Sequence, residues 1–300
     1  MKIDDLEQSK RIEDRRGQQQ SGYSSGSSNG LGILLQLLMS SGRGKWLVIL
    51  VLLLAFLGGG MNLGDLFGAS QYQSSYSTSQ SASTAASDQD AVFVSKVFNS
   101  TEEFWTQEFA RNGKSYQPPT MVLYSEQTQT NGCGVGSAQA GPFYCPADEK
   151  VYIDLSFYQE LTSKYNAAGD FAMAYVIAHE VGHHVQNQLG TMESYTRARQ
   201  GKSEKVANAL NVRLELQADY YAGVWANHVE NEGLLEIGDV DEALAAAHAV
   251  GDDTLQEAAY GTSVPDSFTH GSSAQRQKWF KRGYQYGDIE HGDTFSASIN

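Results

Sequence analysis

The chain has 300 residues, carries 21 Lys and Arg against 35 Asp and Glu for a net charge of −14, and is 41% hydrophobic. That length holds one ordinary domain with appended segments, and the apolar content suffices for a real core. The acidic balance and the absence of basic clusters in the C-terminal part exclude a nucleic-acid partner, because phosphate binding needs grouped Lys and Arg.

Residues 1–45 read as a polar, basic segment with Lys2, Lys10, Arg11, Arg15, Arg16, Arg43 and Lys45. Every residue from Trp46 to Leu57 is apolar, and with Gly58–Leu63 the stretch reaches the roughly 17 residues needed to cross a bilayer. Residues 46–63 therefore predict a single transmembrane anchor, with membrane lipid as a partner. No Lys or Arg follows until Lys96, so the positive-inside rule expects a cytoplasmic N-terminus and a domain in the periplasm or at the cell exterior. The polar region ahead of the apolar core is too long for a cleaved signal peptide. The earlier patch Leu31–Met39 is too short to span. Residues 64–89, almost wholly Ser, Gln, Thr, Ala and Tyr from Ser70 onward, predict a flexible linker and leave 90–300 as the folded domain.

Within that domain Phe93–Arg111 predicts a first helix, closed by Asn112-Gly113. Thr120–Tyr124 and Lys150–Leu155 read as neighbouring strands of a small sheet. Between them stand the only two cysteines, Cys133 and Cys145. An even count in an exported domain points to a disulfide across the glycine-rich loop, worth about 3 kcal/mol in the chain-entropy model; zinc ligation is the alternative. Asp239–Val250 and Ser272–Tyr284 predict later helices. The fold class is α+β, a helix-rich body with a small sheet beside a cleft.

The chemistry concentrates in His179-Glu180-Val181-Gly182-His183. Residues four apart share one helix face, so both imidazoles can turn a nitrogen to a single Zn2+ ion. Glu180, one step round the turn, can take the proton from a water on that ion. The preceding run Phe171–Ala178 is apolar almost all round and predicts a buried helix, started by Gly169-Asp170. The alternative is a pair of core histidines with a glutamate on a wet flank. The extended motif with a third histidine is absent, because Gln186 and Leu189 occupy its glycine and histidine positions. Ala207, Leu210, Leu214, Ala218, Tyr221 and Trp225 recur at helical spacing, and Glu215 and Asp219 sit four apart beside that stripe. One carboxylate can ligate the ion while the other orients a ligating histidine.

These motifs resemble the gluzincin metallopeptidases. More closely, the stretch from about Asp90 onward is similar to the bacterial neutral zinc metallopeptidase family. The resemblance rests on Cys133-Gly134, Gly141–Pro146, Tyr152–Leu155, the zinc motif, Glu215–Asp219 and Thr269–Arg276. Tyr220 departs from it, standing where many relatives carry cysteine. The resemblance implies a zincin-like fold with His179, His183 and Glu215 as metal ligands, Asp219 behind them and Glu180 as general base. It implies that His270 stabilises the oxyanion, that Arg276 holds its segment or binds a substrate carboxylate, and that Tyr152 and Ile153 lie on an edge strand that pairs with substrate; an ordinary interior strand is the alternative for those two. Tyr195, Tyr220 and Tyr221 are weaker oxyanion candidates. His184 points about 100° away from His183 and cannot share the ion; His228, His248 and His291 read as structural or solvated.

The expectation is a membrane-anchored zinc endopeptidase acting on peptide or protein substrates. Two other readings compete: a catalytically silent, zinc-stabilised binding or chaperone-like protein, and a zinc amidase acting on cell-wall peptides.

Overall fold

A computed structural model of the chain describes residues 1–17, 80–163 and 167–300, the side chains of 80–87 excepted. The candidate span 46–63 lies outside the described residues, among which no helix is long and apolar enough to cross a membrane. In chain order the elements are β1 (Ile12–Asp14), α1 (Gln80–Arg111), β2 (Thr120–Tyr124), β3 (Gln127–Gln129), β4 (Val135–Ser137), β5 (Phe143–Cys145) and β6 (Lys150–Asp154). They continue with α2 (Ser156–Ser163), α3 (Asp170–Gln188), α4 (Thr191–Arg199), α5 (Glu204–Asn231), α6 (Asp239–Ala249), α7 (Asp252–Tyr260) and α8 (Ser273–Tyr286).

The sheet has the order β1-β2-β6-β5, with β1, β2 and β6 parallel and β5 antiparallel to β6. A parallel interior strand is covered on both faces, which is why Met121–Tyr124 and Val151–Asp154 are all buried. α3 is buried along nearly its whole length, from Phe171 to Gln186, and packs on α5, α6 and β5. Nothing in Phe171–Ala178 breaks a helix; Asp170 in the first turn complements the helix dipole, and Gly190, at φ 79°, follows the end. Phe171 stacks on Trp225 of α5, and Trp105 of α1 meets Tyr221 edge-on.

Glycine lets α5 and α8 touch through their backbones. A Cβ at Gly223 would overlap the Phe280 carbonyl, and one at Gly283 would overlap the Tyr220 carbonyl. This contact fixes α8, and with it Arg276, against the helix that carries Glu215 and Asp219.

The N-terminal boundary expected from sequence is corrected. Residues 1–17 are not a separate segment: they share one folded unit with residues 81–300. Ile12, Glu13 and Asp14 pair with Met121, Val122 and Leu123, Lys150 reaches Glu13 at 2.7 Å, and the Met1 amine lies 2.9 Å from Asp170 and 3.1 Å from Asp239. A three-residue strand has no periodicity to read, and basic residues beside an apolar run dominated the sequence signal. The stems of the intervening segment are adjacent, since Arg16 lies 3.4 Å from Asp88. The first helix is also longer than expected, starting at Gln80 within the expected linker, because Ser, Ala and Gln do not prevent helix formation.

Candidate metal centre

His179 and His183 stand one turn apart on α3, with ring centroids 4.9 Å apart. Glu215 faces them from α5: its Oε2 is 3.3 Å from His179 Nε2 and 3.4 Å from His183 Nε2. Donors held at 2.0–2.1 Å around a tetrahedral zinc are themselves about 3.4 Å apart, so the spacing fits that ion. All three donors lie within 4.8 Å of one another and their residues are buried. The close approach of α3 and α5 depends on Gly182, where a Cβ would sit 3.0 Å from the Ala218 carbonyl.

Behind the ligands, Asp219 accepts from His179 Nδ1 at 2.8 Å, from the Tyr175 hydroxyl at 2.5 Å, and from Arg276 Nε and Nη2 at 2.9 Å each. A carboxylate only accepts, so the His179 proton sits on Nδ1 and Nε2 keeps its lone pair for a metal. His183 Nδ1 donates to Gln186 Oε1 at 2.9 Å, and Gln186 is held in turn by the Leu214 carbonyl. Burial works against both charges of the His179–Asp219 pair, but their attraction outweighs it. His179 is pushed up to about 9 by Asp219 and Glu215, and Asp219 is held far below the usual carboxylate range by Arg276 and His179. Glu215 is likewise depressed by the two histidines despite its burial. With Glu215 and Asp219 both held as anions and a metal able to replace the proton on each Nε2, the buried His179-His183-Glu215 donor set suits a divalent cation.

The expected substrate role of Arg276 is corrected here. The side chain is 4% exposed and committed to Asp219, Tyr175 and the Val250 carbonyl, so at the edge of the cleft it braces the ligand shell. In sequence it is one arginine on a helix, and nothing local says which way it turns.

A cleft of about 360 Å³ opens over the metal site. Glu180 lines it and, among the described residues, its carboxylate has no hydrogen-bond partner. His270, half-exposed, lies on the same cleft. Asp252 at the start of α7 holds it: Oδ2 accepts from the backbone N–H of Thr269, His270 and Gly271 at 2.6–2.9 Å, and Oδ1 lies 3.4 Å from His270 Nδ1. Burial would lower the His270 pKa, but Asp252 and Glu215 raise it, and the same pairing lowers that of Asp252. Asp252, Gln186 and Tyr175 escaped the sequence reading. Asp252 alone had a local signal, as an acid opening a helix after Gly251.

The expected substrate strand is corrected as well. Tyr152 and Ile153 are fully buried on β6, which is paired on both sides. Of the two edge strands, β1 and β5, it is β5 that packs against α3; Gly141, Pro142, Phe143 and Tyr144 form one wall of the cleft. Alternation identifies a strand but not whether it lies inside the sheet or at its rim. Cys133 and Cys145 are joined by a disulfide that ties the β3–β4 turn to the end of β5. Tyr220 donates to the Asp288 carbonyl, away from the metal, and Tyr195 to Asn211.

The sequence profile described as "Putative neutral zinc metallopeptidase" matches residues 1–295, which include the N-terminal arm. Among curated proteins, the chain is 48% identical over 263 residues to the "Uncharacterized protein YpfJ" of Escherichia coli K12, covering 87% of this chain and 90% of that one. It is also 48% identical over 194 residues to the "Uncharacterized protein Rv2575" of Mycobacterium tuberculosis H37Rv, covering 61% of this chain and 64% of that one. No solved structure matches. With a buried His-His-Glu donor set and a profile match over nearly its whole length, the chain belongs to this family of zinc metallopeptidases.

Proposed function

We propose that the protein is a zinc-dependent endopeptidase. The observation that carries this reading is the convergence of three buried donors at tetrahedral spacing with Glu180 beside them in an open cleft. His179, His183 and Glu215 hold the ion. Zinc bound there supplies Lewis acidity, polarising the scissile carbonyl and lowering the pKa of a water. Glu180 accepts a proton from the attacking water and delivers it to the leaving amine. His270, positioned by Asp252, donates to the carbonyl oxygen as negative charge develops on it. An extended substrate adds to the edge strand β5 by main-chain hydrogen bonds, crossing the cleft between that wall and His270.

The test is hydrolysis of a mixed peptide library by the purified full chain loaded with zinc, compared with Glu180→Gln. Cleavage by the wild type, lost in a variant that keeps its zinc, is the expected result. Equal inertness of two zinc-loaded proteins would sink the peptidase reading and favour a binding protein. Cleavage confined to cell-wall peptides would mark an amidase.

For location, the proposal keeps the apolar residues 46–63 as the membrane contact but places residues 1–17 and the metal site on one side of the bilayer. The adjacent stems at Arg16 and Asp88 support it.

A further inference from the structure

The helix that carries two metal ligands presents a second polar face. His184, Asn187 and Gln188 recur at i, i+3 and i+4, about 100° round the helix from His183. His184 is fully buried with both ring nitrogens engaged. Its Nε2 meets the Gln117 carbonyl at 2.7 Å and must donate, which leaves Nδ1 to accept from the Tyr144 hydroxyl at 2.9 Å. Asn187 Nδ2 donates to the same hydroxyl at 3.0 Å. Gln188 completes the face, exchanging two hydrogen bonds with the Gln117 backbone. Tyr144 is the central residue of β5, and its ring lies edge-on to His184.

We propose that Tyr144 is a positioning residue: its hydroxyl, clamped by His184 and Asn187, fixes the edge strand β5 to the zinc helix and so sets the register in which an extended substrate backbone meets the metal. This rests on β5 being the substrate strand. The physical reason is economy of reference. β5 is a three-residue strand at a sheet edge, held from the sheet side by β6 alone. A short edge strand is the least restrained kind, and a substrate that pairs with it inherits any error in its position. Two hydrogen bonds from α3, whose next face holds His179 and His183, refer the strand to the same rigid body as the metal. The disulfide at Cys145 restrains the far end of the strand, so Tyr144 and Cys145 anchor β5 independently.

Tyr144→Phe keeps the ring and deletes the hydroxyl; Asn187→Ala, at a half-buried site, removes one donor to it. One net hydrogen bond is worth about 1 kcal/mol, so Asn187→Ala, which removes one, is expected to raise KM for peptides about 5-fold and Tyr144→Phe, which removes both, about 25-fold, with kcat changed less than about 2-fold in each. Because both act through one hydroxyl, the double variant should be little worse than Tyr144→Phe alone. Zinc affinity by chelator competition should be unchanged. Amide exchange in 141–145 should accelerate about 5-fold while that of 171–186 stays as in the wild type. A fall in kcat at constant KM, loss of zinc, or unaltered exchange in 141–145 would overturn the proposal. If the wild type cleaves no peptide, it is the endopeptidase reading that fails, and the exchange measurement still decides whether the clamp holds the strand.

Discussion

At the scale of single residues, the centre divides into groups that would hold a metal or face its cleft and groups that aim them. Asp219 serves His179, Gln186 serves His183, and Asp252 serves His270. Removing an orienting partner costs a metal site typically 10- to 100-fold in affinity. Asp219→Asn is therefore expected to weaken zinc binding by about that factor, read by competition with a chromophoric chelator; an unchanged affinity would remove Asp219 from the ligand shell. Arg276→Lys should act in the same direction, since one ammonium cannot reproduce the two bonds its guanidinium makes to Asp219. For His270, deletion of an oxyanion donor predicts a kcat loss of about 100-fold in His270→Ala. The pH dependence has a definite sign. His270 has a raised pKa, so its charged form is present at low pH and is lost as pH rises through that value. Activity through it should decline on the alkaline side, and Asp252→Asn should shift that decline to lower pH. A kcat/KM profile that Asp252→Asn leaves unmoved would separate the two residues. The same pair stabilises the fold only between the lowered Asp252 pKa and the raised His270 pKa. Because His270 is half-exposed, water screens much of that contribution.

At the scale of elements, the site depends on helices that approach more closely than side chains would permit. α3 meets α5 at Gly182, and α5 meets α8 at Gly223 and Gly283. Adding a methyl group at Gly283 forces two backbones apart, and overpacking of this kind costs about 1–3 kcal/mol or more. Gly283→Ala should lower the melting temperature and loosen zinc together, because α8 carries Arg276. A variant destabilised without any change in zinc affinity would show that α8 does not brace the ligands. Helix periodicity made α6 and α8 legible in the sequence to within a few residues and α3 and α5 legible by their apolar faces, and alternation revealed β2 and β6. The β2–β6 pairing was legible as well, but not which strands flank the pair. Lys150–Leu155 carries the same apolar alternation whether it lies inside a sheet or at its rim, so Tyr152 and Ile153 were misassigned to substrate.

At the scale of the whole molecule, a 17-residue arm that looks detached by charge completes the sheet and meets the start of the zinc helix. Deleting residues 1–17 is expected to destabilise the domain, seen as a lower melting temperature; an unaltered transition would make the arm an ornament. Metal should stabilise the same unit, since the donor set is absent from the unfolded chain, and a chelator should lower the melting temperature of the zinc-loaded protein. Sidedness can be read with single cysteines at the exposed positions Glu7 and Glu257, the native pair being tied in a disulfide. A membrane-impermeant maleimide should label both or neither in intact cells. Labelling of one alone would place the arm and the domain on opposite sides.

The sequence by itself determined the zinc motif, the two carboxylates that answer it, the cysteine pair and the α+β class. Each of these depends on spacing within one helix or on composition, and local geometry converts spacing into direction. Only the tertiary structure decided that Arg276 turns inward to Asp219, that Asp252 holds His270, that β5 forms a sheet edge, and that the N-terminal arm belongs to the domain. Those are contacts between segments distant along the chain, chosen by packing and by the pairing of buried charge, and no local pattern encodes which distant partner a residue will meet.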